Sequence, residues 1–260
     1  MNTAPPPATP AVAAQVFGDR LPQAEVFTTL LSDSGVTHGL VGPREVPRLW
    51  ERHVLNCAVV QEAIPAGMRL IDVGSGAGLP GLALAIARPD LDVHLVEPML
   101  RRTTWLSDAV QDIGLDNVTV HRGRAEQFWG VLSAPVVTAR AVARLAELAR
   151  WCLPLLEPEG TLLALKGESA PEELAEDEAA VRAAGAVSEE VRYYGAGVLD
   201  PLTTVVHVRI GPSVPPGCPV MTPMLFATLL ATRRSAIPSE FRSATCTYRG
   251  PVPTTSVCGD

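Results

Sequence analysis

A glycine-rich segment, residues 72–78, contains the residue types in this 260-residue chain that point most directly to chemistry. It reads D-V-G-S-G-A-G and follows the apolar pair Leu70-Ile71. Glycines in such a turn let backbone N–H groups approach a ligand closely, and the start of a following helix adds positive potential. Glu97 ends a second apolar run, where its carboxylate can accept hydrogen bonds from ribose hydroxyls. The pattern therefore predicts a nucleotide-type cofactor site.

Asp72 precedes the first glycine by two positions, and this placement favours one class of cofactor. The resulting D-x-G-x-G-x-G pattern differs from the bare G-x-G-x-x-G of many dinucleotide enzymes. An acid at this position can hold the ammonium group at the methionine end of S-adenosylmethionine. We therefore predict S-adenosyl-L-methionine as the cofactor, S-adenosyl-L-homocysteine as its product, and no metal.

Composition limits the class of protein. Apolar residues make up 47% of the chain, which is typical of a globular protein. No apolar stretch approaches the roughly 18 residues that span a bilayer, and the first ten residues lack the apolar region of a signal peptide. The five cysteines are widely separated and form no C-x-x-C pair, so neither a zinc site nor a disulfide framework is indicated. We expect a cytoplasmic protein without a membrane partner.

The formal net charge of −7 argues against indiscriminate binding of nucleic acid, but it leaves room for a local basic face. Acidic residues are concentrated between positions 157 and 190, whereas many arginines precede that stretch. Nearly all the basic residues are arginine, whose planar guanidinium suits phosphates and stacked bases. A codon bias is the favoured explanation of the arginine count, and the meaning of the clustering stays open.

Periodicity predicts an α/β fold. Apolar residues recur at helical spacing between residues 14 and 60, which predicts three helices forming a small N-terminal cap. Strands are then predicted at 69–73, 93–96, 118–121, 136–139 and 161–165, and helices from about 79 and at 101–113, 145–153 and 172–183. Such alternation indicates a parallel sheet covered on both faces. Two further β-rich segments, 187–194 and 203–210, predict an antiparallel hairpin. Five parallel strands closed by a hairpin is the layout of class I S-adenosylmethionine-dependent methyltransferases, with a Rossmann-like sheet.

Four regions are predicted along the chain. Residues 1–14 are rich in proline and alanine and form a disordered leader. Residues 15–60 form the helical cap, and residues 61–210 form the methyltransferase domain. Residues 211–260 are rich in proline and have little periodicity, so we predict a poorly ordered tail.

The carboxyl ends of the parallel strands predict where substrate and cofactor bind. Ala125 and Glu126 follow one strand and would meet the adenine ring. Arg140 and Lys166 are long cations that leave apolar strands, where a structural role would more often use a small or apolar residue. We therefore interpret both as substrate contacts, with a surface salt bridge as the alternative. Lys166 is also the only lysine in the chain.

Four sequence blocks resemble one bacterial family. They are G-P-R-E at 42–45 continuing to L-W-E-R-H at 49–53, D-V-G-S-G-A-G-L-P-G at 72–81, T-A-R-A at 138–141, and A-L-K-G at 164–167. Together they look like the 16S rRNA guanine-N7 methyltransferase G family, also called the glucose-inhibited division protein B family. The resemblance covers residues 14–210, and the tail does not share it. Ala139 stands where the family usually has serine, which leaves Arg140 unchanged.

The resemblance implies a class I fold and methylation of a guanine N7 in the 530 loop of 16S rRNA. By position it carries over five cofactor contacts, namely Gly74, Leu79, Ala125, Glu126 and Arg140. With the residues argued above, the predicted cofactor contacts are Asp72, Gly74, Ser75, Gly76, Gly78, Leu79, Glu97, Ala125, Glu126 and Arg140. The predicted RNA contacts are His53, Arg101, Arg124 and Lys166. For His53, packing between the cap and the core is an equal alternative.

That substrate explains why the sequence offers no obvious general base. Guanine N7 carries an in-plane lone pair and no proton, so it can attack the methyl group without prior deprotonation. Arg140 and Lys166 would then serve catalysis by positioning the substrate. Because the chain is acidic, we expect it to act on 16S rRNA in the small ribosomal subunit or its precursor rather than on arbitrary RNA. We also expect a monomer.

Three other functions are compatible with parts of the sequence. A nicotinamide-dependent oxidoreductase would use a similar sheet, but Asp72 and the terminal hairpin argue against it. A cofactor-binding ribosome-assembly factor without turnover is the main alternative, because sequence alone does not prove catalysis. A small-molecule methyltransferase is disfavoured, since the cap carries several arginines and His53 in place of an apolar lid.

Overall fold

One mixed sheet of seven strands forms the centre of the part of the chain that the computed structural model describes, residues 6–140 and 143–212. The strands are β1 (Arg69–Val73), β2 (Asp92–Glu97), β3 (Val118–Arg122), β4 (Ala134–Arg140), β5 (Leu156–Lys166), β6 (Ala186–Tyr194) and β7 (Thr203–Ile210). Their order in the sheet is β3-β2-β1-β4-β5-β7-β6. Strands β1 to β5 are parallel, and β7 runs antiparallel to both β5 and β6. The predicted parallel sheet with a closing hairpin is confirmed.

Helices precede, connect and cover the strands. The α-helices are α1 (Ala13–Phe17), α2 (Leu21–Leu30), α3 (Asn56–Ala58), α4 (Gly81–Ala87), α5 (Leu100–Ile113), α6 (Leu145–Cys152) and α7 (Ala170–Ala183). The 3₁₀ helices are Gly18–Arg20, Pro43–Arg48, Val59–Ala63, Ala125–Phe128 and Leu153–Leu155, and the π-helices are Leu31–Gly35 and Leu49–Leu55. Helix α4 begins two residues later than predicted, after Pro80.

The cap contains the predicted helices, but its third one differs in kind. Residues 49–63 form a π-helix, one short α-helix and a 3₁₀ helix in succession. Pro47 lies inside the preceding 3₁₀ helix, where its missing N–H and fixed φ disfavour a regular α-helix. Turns of π-helix are rare in proteins and, where they occur, they often lie at functional sites. The segment Leu49–Leu55 is therefore a candidate region for function.

The core has two parts, one on each face of the sheet. The cap, α4 and α5 pack on one face, whereas α6 and α7 pack on the other. Alternation along a strand explains this division, since Leu70 belongs to the first cluster and Ile71 to the second. A sheet covered on both faces leaves the strand ends as the places where polar side chains can reach a ligand.

Part of the segment predicted as a disordered leader makes contacts in the structure. Trp50 Nε1 donates to the carbonyl oxygen of Pro7 at 3.3 Å, and the Thr9 hydroxyl donates to Glu25 at 2.8 Å. The predicted tail lies outside the described residues, apart from its first two positions. Among the described helices, none combines the length and apolar character needed to cross a bilayer.

Candidate functional site

The glycine-rich loop connects β1 to α4 at the carboxyl edge of the sheet. Gly74, Gly76 and Gly78 have φ angles of 72°, 53° and 80°, which lie in the left-handed region that favours glycine. The N–H of Gly74 donates to the carbonyl oxygen of Val96 at 2.8 Å, so the loop is joined to the end of β2. The glycines are therefore required by the path of the backbone.

Asp72 lies beneath this loop and is fully buried. Its Oδ1 accepts a hydrogen bond from the Thr138 hydroxyl at 2.9 Å, and its Oδ2 accepts one from the N–H of Gly81 at 3.2 Å. A Cβ at position 81 would lie 2.8 Å from Oδ2 and would collide with Leu95, so only glycine fits there. Burial raises the pKa of Asp72 to about 6, against the lowering effect of its hydrogen bonds.

Glu97 ends β2 and is 1% exposed. Its Oε2 accepts a hydrogen bond from the N–H of Gly76 at 3.1 Å, and its Oε1 accepts one from the N–H of Met99 at 3.0 Å. Arg102 Nη1 lies 3.6 Å from Oε2. The carboxylate thus touches the glycine-rich loop directly. An ionised carboxylate has about four lone-pair sites, so these contacts leave it able to accept further hydrogen bonds.

The segment after β3 meets the same edge. Gly123 N–H donates to the carbonyl oxygen of Glu97 at 3.1 Å, which joins this turn to the end of β2. The 3₁₀ helix that follows starts with Ala125, which is buried, and Glu126, which is exposed. The loops after β1, β2 and β3 therefore meet at one edge of the sheet.

Arg140, at the end of β4, joins the sheet to the cap. Its Nη1 donates to Cys57 Sγ at 3.0 Å. Its Nη2 donates to the carbonyl oxygen of Arg52 at 2.8 Å and to His53 Nδ1 at 3.1 Å. All three acceptors belong to the π-helix and the short α-helix that follows it. This guanidinium therefore fixes the position of the cap over the strand ends.

His53 connects Arg140 to a carboxylate on the cap. Arginine has no acceptor, so Nδ1 of His53 must accept and its Nε2 must carry the proton. That Nε2 lies 2.9 Å from Glu45 Oε2, to which it donates. Burial is the largest cause that lowers the pKa of His53, and the nearby Arg140 charge acts in the same direction. The three residues form a chain in which the imidazole is neutral.

Lys166, at the end of β5, is held inside the protein. Its side chain is 9% exposed, and its ammonium donates to the carbonyl oxygen of Ala143 at 2.7 Å and to Glu173 Oε1 at 2.8 Å. The same Glu173 oxygen accepts the N–H of Leu145 at 2.7 Å, at the start of α6. A carboxylate at a helix N-terminus is favoured by the helix dipole. The lysine thus connects β5, α6 and α7.

A crevice of about 790 Å³ opens between the cap, the ends of β4 and β5, and the β6–β7 hairpin. Its lining includes the cations Arg48, Arg52, Arg140 and Lys166 and the acids Glu51, Glu168 and Asp200. The remaining lining residues are Asn56, Leu165, Gly167, Tyr193, Leu199, Pro201, Leu202 and Thr204. Cations outnumber acids here, although the whole chain carries a net charge of −7. Two of these cations, Arg52 and Lys166, are paired with Glu45 and Glu173, so the crevice presents charges of both signs.

Comparison with known proteins identifies the family. The family model described as rRNA small subunit methyltransferase G matches residues 20–199. This chain belongs to that family. A ribosomal RNA small subunit methyltransferase G from Streptomyces avermitilis is 56% identical over 208 residues, covering 80% of this chain and 87% of the relative. The protein of the same name from Thermobifida fusca is 55% identical over 198 residues, covering 76% and 84%.

Solved structures with similar folds are more distant. A SAM-dependent methyltransferase from Aquifex aeolicus is 17% identical, with a TM-score of 0.49 over 68% of this chain and 97% of that chain. TYW2 from M. jannaschii, solved in complex with AdoMet, is 17% identical, with a TM-score of 0.48 over 62% of this chain and 76% of that chain. The family match and the strand order carry the assignment to the class I fold.

Membership of methyltransferase G makes the chain an S-adenosylmethionine-dependent rRNA methyltransferase. The family resemblance predicted from the four sequence blocks is confirmed. A nicotinamide-dependent oxidoreductase does not fit this family or the antiparallel closing strands. The predicted site residues remain predictions, and the structure gives their placement.

The predicted site residues form two groups. One group lies at the edge formed by β1, β2 and β3 and consists of residues 72–79, Glu97 and Ala125-Glu126. Arg101 and Arg124, which are close to these residues in sequence, are exposed. Arg140, Lys166 and residues next to His53 surround the crevice. Arg140, at the end of β4, donates its hydrogen bonds to the cap, and His53 on the cap accepts one of them.

Two placements change the interpretation of the predicted residues. Asp72 is fully buried and each of its oxygens accepts a hydrogen bond from the protein, so this residue supports the loop, and its contact with an ammonium group remains a prediction. Lys166 is paired with Glu173, which matches the salt-bridge alternative more closely than a free substrate contact. Neither partner is adjacent in sequence, so neither pairing could be foreseen.

Several residues at the site have no role predicted from the sequence. They are Glu45, Cys57, Thr138, Glu173 and Tyr193. Glu45 and Thr138 lie inside the family-like blocks, and that position was the one available signal. Cys57 and Glu173 contact residues that are distant in the chain, and Tyr193 is distinguished by its exposure. The sequence gives no signal for either property.

Proposed function

We propose that this methyltransferase transfers a methyl group from S-adenosylmethionine to N7 of a guanine in the 530 loop of 16S rRNA. The observation that carries the proposal is the arrangement of two sites in a member of this family. The glycine-rich loop with Glu97 lies at the edge of the sheet where the parallel strands end, and a crevice lined by four cations and three acids opens at the same edge, with Arg140 among its lining residues. The glycine-rich loop suits the cofactor, and the crevice suits a nucleotide of RNA.

The residues around the glycine-rich loop fit S-adenosylmethionine. Glu97 retains acceptor capacity for the ribose hydroxyls, and the turn at Ala125-Glu126 offers a backbone N–H and a carboxylate to adenine. The positive-φ glycines bring the backbone of residues 74–79 within reach of the methionine part. When bound, S-adenosylmethionine supplies an electrophilic methyl group on a sulfonium.

The chain's own residues would then act by orientation. Guanine N7 has a free lone pair and needs no proton removed, so no side chain has to serve as a general base. Arg140 holds the cap over the strand ends through its three hydrogen bonds, which keeps the crevice walls at a fixed separation. Fixing two reactants in an aligned geometry lowers a barrier by about 7–11 kcal/mol at best.

Recognition of RNA would depend on shape and on a base turned out of its helix. A protein of net charge −7 is repelled by most phosphates, so loose binding to any RNA is disfavoured. We therefore propose the small subunit or its precursor as substrate, bound by a monomer in the cytoplasm. Methylation of naked 16S rRNA as efficient as that of the subunit would count against this part.

A two-step experiment tests the proposal. Calorimetric titration of the purified protein with S-adenosylhomocysteine should give a clear binding signal, whereas NAD should give none. Transfer of tritiated methyl groups to small subunits should then be observed with the wild-type protein and strongly reduced in Arg140→Ala. Cofactor binding without any transfer would instead favour a ribosome-assembly factor without turnover. In that case Arg140 and Lys166, which are both engaged inside the protein, would have structural roles.

A further inference from the structure

Tyr193 presents an aromatic ring to solvent beside the crevice. It lies on β6, lines the crevice and is 56% exposed. Within residues 6–140 and 143–212, no hydrogen bond, ion pair or ring contact involves its side chain. Its neighbour Tyr194 differs, because the Tyr194 hydroxyl lies 2.8 Å from His207 Nε2 and its ring stacks on that imidazole. Tyr193 is therefore the tyrosine of this pair whose ring is free to meet a ligand.

The register of the sheet places Tyr193 in line with the proposed substrate site. Tyr193 pairs with Thr204 of β7, and Thr204 pairs with Lys166 of β5. In-register neighbours share one face of a sheet, so these three residues form a row on the face that α6 and α7 cover, and all three line the crevice at the strand ends. Two strand spacings amount to about 10 Å, so the backbones of β5 and β6 lie about that far apart. Tyr193 thus lies within reach of a nucleotide next to one held at the end of β4 and β5.

Guanidinium groups on the cap side of the crevice can meet the phosphates of an RNA chain. The cap contributes Arg48 and Arg52 to the crevice, both exposed, with Glu51 between them in sequence. Arg52 Nη1 lies 3.4 Å from Glu45 Oε2 and forms an ion pair with it, whereas Arg48 forms no ion pair among the described residues. Leu202, which is 39% exposed, adds apolar surface beside the tyrosine. An aromatic ring with guanidinium groups across a gap is the chemistry that binds stacked bases and their phosphates.

We propose that Tyr193 is a stacking platform for a base of the rRNA that flanks the target nucleotide. This inference rests on the proposed function, because it assumes that the crevice receives rRNA. A phenol ring stacks on any base through its π-face, so the contact adds affinity without demanding a particular base. Tyr193 belongs to substrate binding and has no part in holding the cofactor.

Methyl transfer to small subunits by four proteins tests the inference. They are the wild type, Tyr193→Ala, Tyr193→Phe and Val187→Ala. Val187 is a matched control, since it is 64% exposed on the same strand but lies about 20 Å along it from Tyr193. Stacking on one base predicts a loss of about 5- to 100-fold in kcat/KM for the subunit in Tyr193→Ala. Tyr193→Phe and Val187→Ala should stay within about twofold, and the Kd for S-adenosylhomocysteine should be unchanged in all four.

Each outcome separates this inference from the proposed function. An active wild type with an equally active Tyr193→Ala overturns the stacking role alone. A wild-type protein that binds S-adenosylhomocysteine but transfers no methyl group overturns the proposed function and the inference with it. A photoreactive phenylalanine derivative at position 193 gives a second readout: crosslinking to 16S rRNA is expected, and crosslinking only to a ribosomal protein would contradict a base contact.

Discussion

Arg140 is the residue on which the geometry of the site depends most. It donates three hydrogen bonds to the cap, and a lysine could not reproduce this forked pattern. Because a displacement of about 1 Å at a reacting centre can cost about 100-fold in rate, we expect Arg140→Ala to lower kcat/KM by about that factor. Arg140→Lys should fall nearly as far.

Steady-state methyl transfer measures this effect, and Arg150→Ala supplies a matched control. Arg150 is exposed on α6, and removing it should leave the rate within about twofold of the wild type. A rate for Arg140→Lys equal to that of the wild type would show that charge alone, without the fork, is sufficient.

His53 predicts a pH dependence with a definite sign. Its pKa is lowered in the folded protein, so the unfolded chain takes up the proton first as the pH falls through about 6.5. The stability contributed by its bonds to Arg140 and Glu45 is therefore present above that pH and is lost below it. His53→Gln offers the same acceptor and donor without titrating. We expect the difference in unfolding free energy between wild type and His53→Gln to shrink from pH 7.5 to pH 5.5.

Chemical denaturation at the two pH values provides this comparison, and the other histidines cancel because both proteins contain them. A difference that stays constant or grows on acidification would contradict a neutral His53 that accepts from Arg140.

At the scale of an element, the turn from β1 to α4 depends on a close approach at Gly81. An alanine Cβ there would press on Asp72 Oδ2 and Leu95, and overpacking of this kind costs about 1–3 kcal/mol. Gly42 is the matched control: its φ is −70° and a Cβ added there would have no neighbouring atom within 4 Å, so Gly42→Ala should change stability by less than about 0.5 kcal/mol. Equal urea midpoints for the two variants would contradict the steric argument.

The connection between β5 and α7 predicts an energetic coupling. Lys166 and Glu173 are mostly buried and 2.8 Å apart, so removing one leaves the other charge without its partner. A double-mutant cycle with Lys166→Met and Glu173→Gln should give a coupling of at least about 1 kcal/mol in unfolding free energy. Additive effects, together with a loss of rRNA methylation in Lys166→Met alone, would restore the interpretation of Lys166 as a substrate contact.

Elements with strong periodicity could be predicted from sequence, and the cap was predicted less fully. The core strands are apolar runs buried on both faces, which the residues themselves specify. In the cap, Pro43 and Pro47 break regular helix, and the π-helical turn that follows is fixed by tertiary contacts such as those of Arg140. Periodicity carries no information about such contacts.

For the whole molecule, the sequence predicted the edge of the sheet at which the site lies. The side-chain partners there could not be predicted. The positions of Glu97 and the glycine-rich loop follow from strand order, because parallel strands bring their carboxyl ends together. The partners of Asp72 and Lys166 are 66 and 7 residues away and belong to other elements. Packing across the entire sheet decides whether a given cation faces the crevice or forms an ion pair with a carboxylate.

The most direct test of the account is to identify the nucleotide that is methylated. Small subunits lacking the modification would be incubated with the protein and isotope-labelled S-adenosylmethionine, and the 16S rRNA would be digested and analysed by mass spectrometry. We expect labelled 7-methylguanosine in the fragment that contains the 530 loop. Label on another base, on another atom of guanine, or only outside that loop would contradict it.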